Sequence, residues 1–191
     1  MKNFPVIIDL ETQYSFKEFS DPKKLKISVA VVYDYKNDKL SAFFEDDIHR
    51  LFPVLENSSY IIGYNINHFD IPVLSAYYPG DINLFPTFDI LEDIKSKTGK
   101  RYALNDVVGA TLGQCKSGHG LKAIELFRQD KLNELKKYCE DDVLLTKKLF
   151  EYGVKNNQIF YLDEYGKKPI SVDWGQYLDD NKSDTPLTLP F

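Results

Sequence analysis

The segment FPVIIDLET constrains the fold of this chain more than any other. From Phe4 to Ile8 it runs without a charged residue and is rich in β-branched side chains. That is the pattern of a strand buried on both faces, as in the centre of a sheet covered on two sides. Side chains alternate along a strand, so Ile7, Asp9 and Glu11 share one face while Val6, Ile8 and Leu10 share the other. The two carboxylates then project together, roughly 7 Å apart along the strand. An acidic pair closing so apolar a strand must be paired, capped or metal-bound. Alternatively, both acids sit at the solvent end of the strand or cap the next element, and a pattern as short as DxE does not separate these readings.

The segments ISVAVVYDY and KLSAFFE are also strand-like, and the Asn37–Asp38 turn between them predicts a hairpin. YIIGYN is a fourth strand and FPTFDI a short fifth. Thereafter the texture changes: residues 89–97, 103–112, 120–129 and 131–153 carry apolar residues at helical spacing. Strands first, with helices between and after them, predict an α/β or α+β fold, a mixed central sheet flanked by α-helices. No repeat or linker divides the 191 residues, so residues 1–178 read as a single domain and residues 179–191 as a loosely held C-terminal tail.

The formal net charge is -5, with 29 Asp+Glu against 24 Lys+Arg. A hydrophobic share of 43% and a charged share of 28% exclude a disordered or collagen-like chain. An acidic balance argues against gripping nucleic acid by bulk positive charge, yet it leaves open an enzyme whose acids bind metal. Basic residues outnumber acidic ones only in residues 90–150, which suits a solvated lysine-rich helix face as well as a binding surface. Cys115 and Cys139 form no CxxC pattern and no disulfide framework, which predicts a reducing compartment. The N-terminal apolar run is too short for a signal-peptide core, and no stretch reaches membrane-span length. A soluble, cytoplasmic protein without membrane contact is therefore expected.

Two further places hold costly carboxylates. In GYNINHFDIPVL, Asp70 precedes the segment IPVLSAYY, which reads as a helix. Asp70 suits its N-cap, with Pro72 comfortable in the first turn, and a carboxylate there is also well placed to hold a cation. In the helix from about Lys131 to Tyr152, Leu135, Asp142 and Leu149 are spaced by seven, so Asp142 lies on the apolar stripe. Tyr138, four residues earlier, is its neighbour on that face; a core Tyr–Asp hydrogen bond is the plainer reading of this helix taken alone. If Asp9, Glu11, Asp70 and Asp142 converge, each pair about 5 Å apart repels by roughly 3 kcal/mol at an effective dielectric of 20. Oxygen-only ligation suits Mg²⁺ or Mn²⁺ rather than zinc, and two such ions fit in-line attack at a phosphodiester.

DLET (Asp9, Glu11), NINHFD (Asn65, Phe69, Asp70) and YCEDD (Tyr138, Asp142) resemble the three motifs of the DEDD superfamily of 3′–5′ exonucleases, which share a ribonuclease H-like fold. Tyrosine four residues before the last aspartate is similar to the tyrosine-type (DEDDy) variant found in proofreading domains of DNA polymerases. ALNDVVGATLGQCKSGHGLKAIEL resembles the segment between motifs II and III in a bacterial branch of stand-alone exonuclease-like proteins, and VDW (Val172 to Trp174) fits that branch loosely. The resemblance spans residues 4 to 153. It implies that Asp9, Glu11, Asp70 and Asp142 ligate two divalent cations, Mg²⁺ or Mn²⁺, and that Tyr138 orients the attacking water. It places Thr12 and Asn65 close to the 3′-terminal nucleotide. The implied reaction is stepwise hydrolysis of single-stranded DNA or RNA from the 3′ end, releasing nucleoside 5′-monophosphates. A replication or repair partner fits the same resemblance, but none is identified.

Other features are weaker. GQCKSGHG (Gly113 to Gly120) holds Lys116 and His119 and suits a plain loop or a phosphate contact. It is neither GxGxxG after a strand nor a P-loop. KSKTGKR (Lys95 to Arg101) is a compact basic patch that suits a solvated loop or a hold on single strand. His68 stands alone beside a turn and reads as a surface or packing residue. Two rival functions remain: a catalytically silent ribonuclease H-like module that binds nucleic acid or a partner, and a ribonuclease H-like endonuclease.

Overall fold

The computed structural model describes residues 4–114 and 121–178. FPVIIDLET forms β1 (Val6–Thr12), which is the centre of a five-stranded mixed sheet. On one side β1 pairs antiparallel with β2 (Ile27–Asp34), which pairs in turn with β3 (Lys39–Phe44) through the expected hairpin. On the other side it pairs parallel with β4 (Ile61–Gly63), followed by parallel β5 (Thr87–Asp89). The order is β3-β2-β1-β4-β5. The central position explains the unbroken apolar run, since Val6, Ile7 and Ile8 are each within 1% of full burial.

Two apolar cores lie on the two faces. Ile7 joins Val29, Val31, Ile62 and Phe88 beneath the helical layer, whereas Val6, Ile8 and Leu10 pack with Ala30, Val32, Ile61 and Leu74 on the other side. That second core is closed by α1 (Phe52–Glu56) and α2 (Asp70–Leu74). The first is closed by α3 (Ile90–Thr98), α4 (Leu104–Leu112), α5 (Leu121–Arg128) and the 25-residue α6 (Leu132–Asn156), which lies across β1 and β2.

Three departures from the sequence expectations have physical causes. The helix expected over IPVLSAYY ends at Leu74; Ser75 donates its hydroxyl to the Pro72 carbonyl, and the chain goes on as turns to Tyr78. A second, two-stranded sheet comes after α6, with β6 (Gln158–Asp163) antiparallel to β7 (Gly166–Ser171). Its outer edge is closed by α4, where Thr111 Oγ1 donates to the Phe160 carbonyl at 3.1 Å and accepts from the Phe160 N–H at 2.9 Å. Finally, VDW folds back onto α6: Trp174 is 1% exposed, stacks on Phe150 and donates Nε1–H to Asp93 at 2.9 Å. Gly153 makes room for it, since a Cβ there would stand 2.2 Å from the indole.

Among the described residues, no helix is long and apolar enough to cross a membrane. Residues 179–191, most of GQCKSGHG and Cys115 lie outside the described residues.

Candidate active site

The alternation of β1 turns Asp9 and Glu11 towards the helical layer, on the face shared with Ile7. There α6 crosses the strand and presents Asp142 from its apolar stripe, 3% exposed. Carboxylate oxygens of Asp9, Glu11 and Asp142 all lie within 4.8 Å of one another. Asp9 and Glu11 are half-buried, and Tyr138 is buried one turn before Asp142. Cys139 sits between strand and helix, its thiol donating to the Asp9 carbonyl at 3.3 Å and to Asp9 Oδ2 at 3.5 Å. Burial, together with the charges of Asp9, Glu11 and Asp142, pushes the Cys139 thiol well above its usual range. It therefore stays protonated and acts as a weak donor that orients Asp9.

Asp70 stands beside this trio rather than within it. It is the first residue of α2, 2% exposed, and its Oδ1 accepts the N–H of Leu10 at 3.0 Å. Parallel pairing of β1 with β4 reaches only Ile7, so Asp70 satisfies a strand N–H that β4 does not. Phe69, not Asp70, is the N-cap residue and makes no side-chain hydrogen bond, while the Asp70 carboxylate also accepts from its own backbone N–H. Burial first, and the Asp9 charge second, hold the Asp70 carboxyl well above the usual carboxylate range.

Gly63 allows the turn that carries Asp70 to fold tightly against β1, because a Cβ there would lie 2.8 Å from the Ile8 carbonyl oxygen. The turn is held by Asp89, an acid that the sequence did not point to. One Asp89 carboxylate accepts the N–H groups of Asn65 (2.8 Å), Asn67 (3.0 Å), Leu91 (2.9 Å) and Glu92 (3.3 Å). It caps α3 and braces the turn at once, and burial keeps its carboxyl above the usual range despite those donors. The available signal was Asp89 with Glu92 three residues on, the spacing of a helix start. Asn65 adopts a left-handed φ of 68°, and its side chain accepts a hydrogen bond from the Arg101 guanidinium. Thr12 is buried and donates its hydroxyl to the Tyr14 carbonyl at 2.8 Å.

Six of the seven site residues expected from the sequence border a cavity of about 530 Å³, and the seventh, buried Tyr138, is not among the residues that line it. Asp9, Glu11, Asp70 and Asp142 line it together with Thr12 and Asn65, while Leu10, Tyr14, Phe69 and Ile124 supply apolar wall. Phe16, 51% exposed, and Lys17 also line it; neither was singled out from the sequence. Of the other sequence features, His68 is a half-exposed partner of Glu92 at 3.1 Å, and Lys97 of the basic patch pairs with Asp93 at 2.6 Å. Neither residue is among those that line the cavity.

The donor set fits hard divalent cations. It offers carboxylate oxygens only, with Cys139 protonated and turned to Asp9. At the 4.8 Å outer limit, each of the three carboxylate pairs repels by about 3.5 kcal/mol at a dielectric of 20, an unfavourable arrangement that a cation converts into a favourable one.

A mixed sheet with helices on both faces, three acids converging from its central strand and a crossing helix, defines a ribonuclease H-like α/β protein. A family model of the RNase_H superfamily, RNase_H_2, matches residues 6–154, and the chain belongs to that superfamily. Its fold is similar to the structure of the family B DNA polymerase from the hyperthermophilic archaeon Pyrobaculum calidifontis, with a TM-score of 0.60 and 19% identity. That likeness covers 80% of this chain but 24% of the polymerase chain. No curated protein matches the sequence.

Proposed function

We propose that this chain is a metal-dependent 3′–5′ exonuclease of the tyrosine type, acting on single-stranded DNA or RNA ends and releasing nucleoside 5′-monophosphates. The observation that supports it most directly is the convergence of Asp9, Glu11 and Asp142 oxygens within 4.8 Å on the wall of the cavity. Asp9, Glu11 and Asp142 would hold one divalent cation, Mg²⁺ or Mn²⁺, and Asp70 beside Asp9 would help to hold a second. When bound, such ions supply a water of lowered pKa and stabilise the leaving oxygen.

The chain's own residues do the rest. A free phenol, with a pKa of about 10, is a poor base at neutral pH, so the part proposed for Tyr138 is to orient the attacking water with its hydroxyl. Thr12 and Asn65 would hold the 3′-terminal nucleotide, with Asn65 kept in place by Asp89 and Arg101. The apolar wall excludes bulk water and accepts a base, and the cavity is of a size that suits a small ligand such as one nucleotide. A replication or repair setting is part of this proposal, the likeness being to a DNA polymerase.

The test uses 5′-labelled single-stranded DNA and RNA with Mg²⁺ or Mn²⁺. A ladder that shortens from the 3′ end is expected, absent in Asp142→Ala and slowed by about ten- to a hundredfold in Tyr138→Phe. Internal cuts would make the chain an endonuclease. Binding without cleavage by the wild-type chain would make it a silent module.

A further inference from the structure

The geometry points to the surface formed by Arg101, Tyr102 and the β6–β7 hairpin as the path along which single-stranded nucleic acid leaves the cavity. This rests on the nuclease reading above and adds the course of the strand behind the nucleotide being cleaved.

The surface starts at the cavity wall. Tyr64 and Asn65 line the cavity. Asn65 is tied to the Arg101 guanidinium, and the Tyr64 hydroxyl donates to the Tyr102 carbonyl at 2.7 Å. Arg101 and Tyr102 are therefore the next residues outward. Tyr102 meets Tyr161 of β6 with ring centroids 4.7 Å apart. Lys168 of β7 is directly opposite Tyr161 in the hairpin register, so both project from the same face, at the half-buried outer end of the one that carries Ile159 and Ile170 into the core. Lys168 in turn lies 5.9 Å from the ring centre of Tyr165, which is 79% exposed at the hairpin turn.

Two cations and three tyrosines thus run in sequence from the cavity mouth to the tip of the hairpin. Rings beside cations are the chemistry that binds single strands without regard to sequence, because every base offers a face to stack on and every link carries a phosphate. Double-stranded nucleic acid offers no such faces, its bases being stacked on one another. Burial above all, then Tyr161 and the Asp163 charge, raises the Tyr102 phenol, and burial followed by the Asp106 charge raises that of Tyr64, so two carboxylates stand near these rings. The surface is therefore not broadly positive, and the rings, rather than bulk charge, carry most of the affinity. With Arg101 and Lys168 each meeting one phosphate, the salt dependence added by the surface is shallow, a log–log slope of about -1.4.

The experiment measures binding of fluorescent dT2 and dT8, and of rU2 and rU8, to the full chain in Ca²⁺, which supports binding without appreciable turnover. The quantity read is the ratio of the dimer Kd to the octamer Kd. Tyr161→Ala should lower that ratio by about tenfold, and Tyr161→Phe, which keeps the ring, should restore it. Lys168→Ala, at a half-buried position, should lower it by about threefold and flatten the salt slope by about 0.7. These outcomes in either the deoxy or the ribo series support the proposal. If dimers bind and octamers gain nothing, or if the octamer gain survives both Tyr161→Ala and Lys168→Ala, the strand runs elsewhere and the proposal falls while the nuclease reading stands. If no oligonucleotide binds, both fall together.

Discussion

Replacing Asp142 by Asn tests the acid cluster without changing its shape. The carboxylates of Asp9, Glu11 and Asp142 approach within 4.8 Å, so loss of the Asp142 charge relieves two of three repelling pairs. At a dielectric of 20 and the 4.8 Å outer limit these two amount to about 7 kcal/mol before screening. Asp9 and Glu11 are only half-buried, and screening by solvent reduces the net gain to the order of 1 to 2 kcal/mol. For a chain of this size that corresponds to a rise in Tm of about 2 to 8 °C for Asp142→Asn in EDTA. The wild type should gain stability from metal instead, about 2.7 kcal/mol at a Mn²⁺ concentration one hundred times its Kd. Most of that increment should vanish in the variant. Thermal melts of both proteins, in EDTA and across a Mn²⁺ titration, decide the matter. A variant that melts lower than wild type in EDTA yet keeps the full Mn²⁺ shift would refute the reasoning, for it would make Asp142 a structural hydrogen-bonding residue.

Two further outcomes rest on single residues. The Asp70 carboxyl is raised above its ordinary 3.8, so above that pH the folded state binds more protons than the unfolded chain. Its contribution to metal-free stability is intact below about pH 4 and declines as pH rises through the raised value; urea midpoints in EDTA should show a decline that Asp70→Asn lacks, and identical profiles would count against this account. Gly153→Ala places a Cβ 2.2 Å from buried Trp174 and should cost on the order of 1 to 3 kcal/mol. The single tryptophan reports the change directly, and unchanged emission with an unchanged urea midpoint would contradict it.

Much of the sheet was legible in the sequence because its signals are local. The five strands of the main sheet and the four longer helices stand where apolar spacing placed them. The β6–β7 hairpin was not legible, for Gln158–Asp163 and Gly166–Ser171 carry exposed, charged and aromatic residues on a sheet whose edge α4 closes from afar. The α2 helix was overestimated because Ser75 diverts a carbonyl that helical spacing alone assigns to the ladder. Asp89 was not singled out from the sequence, since the turn it braces lies more than twenty residues earlier.

Period-two alternation in β1 and heptad spacing in α6 are local properties, and by themselves they determined that Asp9 and Glu11 share a face and that Asp142 and Tyr138 lie on an apolar stripe. Which face meets which stripe is a property of packing between elements more than a hundred residues apart in the chain. Only the tertiary structure decided that the three acids close to within 4.8 Å while Asp70 turns to the Leu10 N–H. It alone joined Asn65 to Arg101, and Tyr102 to a hairpin nearly sixty residues further on. Spacing along a chain determines direction within an element; distance between elements comes from how their side chains fill the space between them.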